Sequence, residues 1–427
     1  MQKPCLSPNF PSLMAERLKV LISAYACEPG KGSEPGVGWN WVLHIQRLHD
    51  VCVLTRANNR PSIESALKLL PDDVPVPKFY YHDLAGPILW GKKHLPGGMH
   101  GYYYLWQQSA WKVVADLQRT HQFDLLHHLT YASFRFRTAV WNHGLPSVWG
   151  PVAGIVTTPW NLLPWFHPRP LIGESVRNIV NVLQSSRFSS LLPRARRSTV
   201  VIAVSPAMQA PFVRLAHEAE VLPTIAVPHP PARVRPLARG DGPLRLLFAG
   251  RIIFMKGIEL ALHALKESGT SATLTLIGDG PYLPVIEKLT RRLALEDRVR
   301  FLGWLPFETA VKTYEDYDAF CFPSLHDSGG CVVLEAMSCG LPVICLDRGG
   351  PGFLVSPGCG IKVDLGPKRK IIADFARAIR TYDTNRQLLH EHGAAAYESI
   401  LAHHTWERRM EQMNIIYQEA VNRPPTA

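Results

Sequence analysis

The 427-residue chain predicts an α/β protein made of two doubly wound parallel-sheet domains. Three observations predict it. Short apolar runs alternate with helical stretches through the first half of the chain, which is the pattern of strand–crossover–strand units. A stretch with five prolines and no hydrophobic period, 227–243, then breaks the pattern and reads as a linker. Directly after it the alternation restarts with LRLLFAG at 244–250. In such sheets ligands bind beyond the carboxyl ends of the strands, so the loops that follow strands are the places to look for chemistry.

Composition narrows the class. An apolar content of 46% is ordinary for a globular protein, and a chain of this length has material for two cores. No run of 18 uncharged apolar residues occurs, and the start, MQKPCLSPNFPSLMAER, lacks a continuous apolar core, so neither a spanning helix nor a signal peptide is expected. None of the eight cysteines forms a Cys-x-x-Cys pair, and most sit in apolar runs. That pattern predicts buried reduced thiols and a cytoplasmic setting, not a disulfide framework or a zinc site. A net charge of +11 predicts attraction to anions. No helix-turn-helix, zinc-finger or RNA-binding signature accompanies it, which leaves phosphorylated substrates and anionic lipid surfaces as partners and excludes nucleic acid.

The first half is read in order. Residues 18–24 (LKVLISA) form a buried strand, and the loop after it carries glycines at 30, 32, 36 and 38. A helix follows from Val37 to about Leu48, then strand 51–55, helix 61–70 and strand 78–81. Residues 101–121 make a long aromatic-rich helix, and FDLLHHLTY at 123–131 makes a strand with the adjacent pair His127 and His128. Strand residues alternate faces, so only one of the two histidines is expected to face a ligand. PSVWGPVAGIVTTPW at 146–160 gives another strand and a second glycine loop. Residues 172–183 carry an apolar helical stripe, with Arg187, Arg194, Arg196 and Arg197 beyond it. Such arginines fit either a solvated face or contact with a membrane surface.

In the second half, strands are expected near 244–250, 272–277, 299–302, 318–322 and 342–346. The first ends in GRIIFMKGIE, where Arg251 and Lys256 flank a loop that opens a helix; two such cations suit a diphosphate. The densest signal is DAFCFPSLHDSGGCVVLEAMSCGLPVIC at 318–345, a strand–loop–helix–strand unit. Gly329 and Gly330 allow close backbone approach, and the N–H groups of Gly330, Cys331 and Val332 are expected free at a helix N-terminus, where anions are favoured. Asp327 and Glu335 lie eight positions apart; carboxylates there suit sugar and ribose hydroxyls.

This segment resembles the acid–seven residues–acid signature of the family 4 glycosyltransferases, retaining enzymes of GT-B fold. VVLEAMSCGLPVI with Glu335 matches it well, while Asp327 stands where the family usually has Glu and Gly329 where it usually has an aromatic. The Gly-Arg-x4-Lys-Gly spacing around Gly250, Arg251 and Lys256 matches too, and GDGP with Gly278 and Gly280, GWLP with Trp304 and Leu305, and RGGPG at 348–352 fall at the positions of the family's other cleft loops. The resemblance is strong over the second domain and loose over the first, where the family's His-x-His appears as adjacent histidines and the loop with Gly36 takes the place of the first glycine loop.

The resemblance implies two Rossmann-like domains facing a cleft: an acceptor-side domain at 1–228 with a final helix, 403–427, packing back onto it, a linker at 229–243 and a donor domain at 244–402. It implies a hexosyl-type glycosyltransferase that uses a nucleotide-diphosphate sugar, with retention of configuration and without metal or other cofactor. Arg251 and Lys256 would bind the diphosphate, Glu335 the ribose, Asp327 the transferred sugar, and His127 or His128 that sugar from the other domain. Backbone around Trp304 and Leu305 would read the base, and Ser328 would lie with the two glycines in the donor loop. The acceptor would be a glycan or lipid-linked, in polysaccharide or glycoconjugate synthesis, with reversible contact at the inner face of the cytoplasmic membrane. A non-catalytic nucleotide-sugar-binding subunit or a GT-B epimerase stays open as an alternative.

Overall fold

A computed structural model describes residues 16–31, 33–72, 74–94, 98–163, 168–186, 191–215, 217–228 and 242–423. The amino-terminal lead-in through 15, Gly32, Arg187 and most of the 229–243 linker lie outside them. Elements run in the order β1 (Lys19–Ala24), α1 (Ser33–Leu48), β2 (Asp50–Thr55), α2 (Arg60–Leu67), β3 (Lys78–Tyr81), α3 (Gly86–His94), α4 (Gly98–His121), β4 (Leu125–Thr130) and β5 (Ser147–Val152). Then come α5 (Pro168–Gln184), α6 (Leu191–Ala195), β6 (Val200–Ala203), α7 (Pro206–Arg214), β7 (Ala219–Val221), β8 (Arg245–Ala249), α8 (Ile258–Glu267), β9 (Thr273–Ile277) and α9 (Leu283–Arg292). The chain closes with β10 (Val299–Gly303), α10 (Phe307–Tyr314), β11 (Ala319–Phe322), α11 (Cys331–Ser338), β12 (Val343–Leu346), α12 (Gly349–Leu354), β13 (Gly360–Val363), α13 (Lys368–Thr384), α14 (Arg386–His403) and α15 (Trp406–Asn422).

The chain divides into two units. Unit 1 gathers the described residues of 1–154, 184–224 and 406–427; unit 2 gathers those of 155–183 and 225–405. Each unit holds one wholly parallel sheet, ordered β3-β2-β1-β4-β5-β6-β7 in unit 1 and β10-β9-β8-β11-β12-β13 in unit 2. Central strands read as continuous apolar runs because both faces are covered: Phe320, Cys321 and Phe322 of β11 and Val343 to Leu346 of β12 are all buried. In both sheets the strand order reverses beside the first strand, between β1 and β4 and between β8 and β11. A doubly wound sheet opens a crevice for ligand at such a reversal.

Three features depart from the sequence-based expectations. The first helix begins at Ser33, so Gly36 and Gly38 belong to its opening turns instead of the preceding loop. A Cβ on Gly36 would stand 1.8 Å from the Lys31 carbonyl oxygen, so the glycine lets the helix start against its own lead-in. Residues 155–183, expected within the amino-terminal domain, pack with unit 2. Finally, α5 is inverted relative to an ordinary surface helix: Glu174, Asn178 and Asn181 are buried, while Ile172, Val176, Ile179, Val182 and Leu183 are each at least half exposed. The closing helix α15 lies in unit 1, where Trp406 stacks on His44 at 4.6 Å and Trp41 meets Trp406 edge-on. Among the described residues no helix is long and apolar enough to cross a membrane.

Candidate functional site

The strand reversal of unit 2 collects the polar groups that the sequence marked. After β8 the chain passes Gly250 and Arg251 and enters a 3-10 turn, Phe254–Lys256, which Gly257 closes in a left-handed conformation before α8. After β11, Pro323 and Ser324 stop the strand and the loop 325–330 leads to α11. The loops are tied together: Leu325 N–H donates to the Met255 carbonyl at 2.9 Å.

Across them Lys256 Nζ lies 2.5 Å from Asp327 Oδ2. The ammonium also stands 5.0 Å from the centre of the Phe322 ring, so it rests against the end of β11. The other carboxylate oxygen, Oδ1, accepts from the N–H groups of Gly329 at 3.1 Å and Gly330 at 2.9 Å. Burial works against the charge on Asp327, but Lys256 and the two N–H donors outweigh it and hold the carboxyl below its usual range. Asp327 therefore organises its own loop. An ionised carboxylate has about four lone-pair sites. Three are engaged here, and Oδ2 keeps room for one further donor. The expectation that the Gly330 N–H is free is corrected by the same contact, since Asp327 takes it as the backbone turns into α11.

The second acid stands on the helix. Glu335 Oε2 accepts from Tyr314 Oη at 3.2 Å. Burial pushes its carboxyl up to about 7, because no cation offsets the desolvation. The two acids thus differ in kind: Asp327 is held ionised by a partner, and Glu335 is poised near neutrality. Cys331, at the start of α11, has its thiol pushed up to about 12, chiefly by burial, with the charges of Glu335 and Asp327 adding to it. It is no nucleophile at neutral pH. Ser328 sits within the loop and Val332 in the first turn of α11.

Two glycine contacts show how closely these loops approach. A Cβ on Gly278 would fall 2.0 Å from the Gly250 carbonyl oxygen, and one on Gly349 would fall 2.5 Å from that of Asp327. Gly350 N–H donates to the same Asp327 carbonyl at 2.8 Å, which fastens the start of α12 to the loop 325–330; the RGGPG stretch, expected as a glycine loop, opens this helix instead. Gly280 is packed against Ile252 in the same manner. Arg251 follows β8 and is exposed, and among the described residues no hydrogen bond or ion pair ties it to the Lys256–Asp327 clasp. Trp304 is 72% exposed and Leu305, beside it, is partly buried.

One group was not picked out by sequence. Glu174 on α5 is buried, and its Oε2 accepts from Thr158 Oγ1 at 2.7 Å and Arg177 Nε at 2.9 Å and lies 3.3 Å from His326 Nε2. The signal was present as a polar stripe at 174, 178 and 181, which has helical period and reads as a solvent face until the fold turns it inward.

The histidine pair sits in unit 1 on β4. His127 has both ring nitrogens engaged, Nδ1 with Tyr417 Oη at 2.7 Å and Nε2 with the Gly150 carbonyl at 2.9 Å. His128 points to the other face, its Nε2 3.1 Å from Tyr103 Oη and its Nδ1 buried without a partner. Burial lowers His127 to about 4 and His128 to about 3, so both rings are neutral at physiological pH. His127 is tied into the core by α15 and β5, while His128 lies on the opposite face of the strand, as the alternation of strand residues predicts. Gly36 lies in the opening turn of α1 and contributes no loop.

Comparison with known proteins places this geometry. Residues 233–399 match the family described as glycosyl transferases group 1. The chain is 31% identical over 194 residues to a D-inositol 3-phosphate glycosyltransferase of Corynebacterium diphtheriae, covering 41% of this chain and 42% of that protein. It is 32% identical over 155 residues to the lipopolysaccharide core biosynthesis glycosyltransferase LpsD of Rhizobium meliloti, covering 36% and 44%. The matched stretches thus span less than half of these curated relatives. Among solved structures, HepE of Anabaena in complex with UDP superposes with a TM-score of 0.60 at 16% identity, covering 94% of this chain and all of that one. The two parallel sheets, the loops that meet at the reversal of the second and the matched segment lead to one conclusion: this is a protein of GT-B fold in which residues 233–399 match the glycosyl transferases group 1 family.

Proposed function

We propose that this chain is a retaining glycosyltransferase that moves a hexosyl group from a nucleotide-diphosphate sugar to a glycan or lipid-linked acceptor. The observation that carries the reading is the Lys256–Asp327 clasp at the strand reversal of unit 2, with Glu335 on the helix that the clasped loop opens. Lys256 and the exposed Arg251 supply positive charge to the diphosphate, helped by the N-terminus of α11. On this reading those groups take the part that a divalent metal plays elsewhere, and chelator leaves the rate unchanged. Glu335, once ionised, accepts the two ribose hydroxyls. Asp327 gives the remaining site of Oδ2 to one hydroxyl of the transferred sugar. Of the two histidines, His128 is the one that this reading assigns to the sugar, because both ring nitrogens of His127 are already engaged.

The chemistry is a displacement on one face of the sugar. The bond from anomeric carbon to diphosphate oxygen breaks, the acceptor oxygen forms the new bond from the same side, and the acceptor proton passes to the leaving phosphate. The charge that develops on the leaving group lies against Lys256, where preorganised cations lower the barrier most.

The acceptor side is read from charge and from the comparisons. The net charge of +11, the exposed apolar face of α5, and relatives named for lipopolysaccharide and inositol phosphate substrates support an anionic or lipid-linked acceptor, met at the cytoplasmic face of a membrane. Cosedimentation with anionic and neutral vesicles at low and high salt tests this part. Binding that is selective for anionic vesicles and lost at high salt is expected, and equal binding to both, or to neither, overturns it.

The activity itself is tested by incubating the protein with UDP-, GDP-, ADP- and dTDP-sugars and following nucleoside diphosphate release with and without a crude lipid and glycan acceptor extract. Release that is slow alone, faster with acceptor and lost in Lys256→Ala is expected. Tight nucleotide-sugar binding without any release would overturn catalysis and leave a binding subunit.

A further inference from the structure

The inverted helix α5 has a reason in the contacts of its buried face. Asn178 brackets Thr158, taking its N–H at 2.9 Å and giving to its carbonyl at 2.7 Å. Arg177 donates to the Val156 carbonyl at 3.2 Å, and Asn181 to that of Ile155 at 3.2 Å. The segment 155–158 and α5 are thereby fastened into one polar strap. It touches the candidate donor site twice within unit 2. Arg348, which caps the start of α12, donates to the Thr157 carbonyl at 2.5 Å. His326, the residue directly before Asp327, meets Glu174 at 3.3 Å, in contact with the carboxylate though out of line for a strong hydrogen bond.

We propose that Glu174 and His326 are a positioning pair, through which the 155–183 strap sets the loop that carries Asp327. The inference rests on the donor-site reading above and extends it to a residue 153 positions earlier in the chain. Its physical content is a row of alternating groups: Arg177, Glu174, His326 and then, one residue on, Asp327 with Lys256. Glu174 is held ionised, because the contacts from His326, Arg177 and Thr158 outweigh the cost of burial. A fixed anion against the imidazole orients the His326 ring, and the backbone at 326 carries that orientation to Asp327. The same backbone is pinned from the other side, where Ser324 Oγ donates to the His326 carbonyl at 3.3 Å. A loop so held presents the remaining lone pair of Asp327 in one direction, as a positioned site requires.

The test uses the full-length protein and whichever nucleotide sugar of the panel above is released fastest. Glu174→Gln, His326→Gln and the double variant are compared for kcat, for donor KM and for nucleoside diphosphate affinity. Each single variant is expected to lower kcat about tenfold while nucleoside diphosphate affinity changes less than twofold. The double variant is expected to lose no more than either single, since the two act as one unit. A merely structural role would lower the melting temperature and leave kcat of the folded protein in place, and that outcome overturns the proposal. Losses that multiply in the double variant overturn it as well. If Glu174→Gln does not fold, Glu174→Asp, which keeps the charge and shortens the reach, must show the same kcat loss. Lys256→Ala run in parallel separates the two levels: a crippled Lys256→Ala beside unaffected pair variants removes the pair alone, and an unaffected Lys256→Ala removes the donor-site reading together with the pair.

Discussion

Units 1 and 2 share one topology and treat their titratable groups in opposite ways. At the reversal of unit 2, an acid is paired with a cation and stays charged, and a second acid titrates near neutrality. On β4, beside the reversal of unit 1, two histidines are buried and driven neutral. The same topology therefore offers two outcomes. A polar group that ends a strand and enters a loop keeps its charge if the fold gives it a counter-charge, whereas one that stays within the strand loses its charge to desolvation. Topology gives the location of a site, and burial with pairing decides which residues there do chemistry.

The largest effect expected from this contrast is on stability in acid. His44, His49, His127 and His128 of unit 1 are all held below the ordinary histidine value, to about 3, 4, 4 and 3, chiefly by burial. Their folded pKa values lie below the unfolded value of about 6.5. The unfolded chain therefore binds more protons as pH falls below that value, and stability drops between pH 6.5 and about 4. Each extra proton bound on unfolding is worth about 1.4 kcal/mol per pH unit. Denaturant melts at stepped pH should show this loss, and His127→Phe should shrink it; a flat stability from pH 7 to 4.5 would contradict the buried-neutral assignment.

Next in size is the charge clasp of unit 2. Lys256→Ala should remove about 2–4 kcal/mol of transition-state stabilisation, roughly 30- to 900-fold in kcat/KM, and should also lower the melting temperature, because Asp327 is left buried without its counter-charge. Steady-state kinetics with a turned-over donor checks it, and a loss under threefold would take Lys256 out of the site. Asp327→Asn is expected to be milder. The amide oxygen keeps the Gly329 and Gly330 contacts but loses the charge facing Lys256, which costs about 1.5–3 kcal/mol in turnover. Nucleoside diphosphate affinity should stay nearly intact, which calorimetry would reveal.

The smallest effect is the pH dependence of nucleotide binding. Glu335 is raised to about 7 from 4.5, so on its own it favours the fold most below 4.5, and that contribution fades as pH rises through 7. Ribose hydroxyls need the ionised form, so binding must release a proton below neutrality. Affinity should tighten from pH 6 to 8, by at most about tenfold per unit. Glu335→Gln should weaken binding and flatten the profile; an unchanged slope in that variant would assign the pH dependence elsewhere.

Much of unit 2 was legible in the sequence. Apolar runs bounded by glycine and proline gave β8, β9, β10, β11 and β12 to within a residue or two, and Gly340, with φ at +74°, ends the α11 segment as its position predicts. The short edge strands β7 and β13 were missed, because three or four residues with polar members carry little periodicity. The spacing of Asp327 and Glu335 is local and readable. The contact of Lys256 with Asp327 spans 71 residues, and only the adjacency of β8 and β11 creates it.

By itself, then, the sequence determined two parallel α/β sheets, the breaks at the ends of β8 and β11, and the acid pair with Asp327 in a loop and Glu335 on the helix that follows. These follow from short-range rules of period, turn chemistry and backbone freedom. The tertiary structure alone decided that Asp327 is clasped and partly occupied, that Glu335 is poised near neutrality, that His127 is tied into the core while His128 keeps one nitrogen unengaged, and that α5 turns its polar face inward to meet His326. Each of these depends on what a group is buried against. Desolvation and pairing act through space, between residues that the sequence holds far apart.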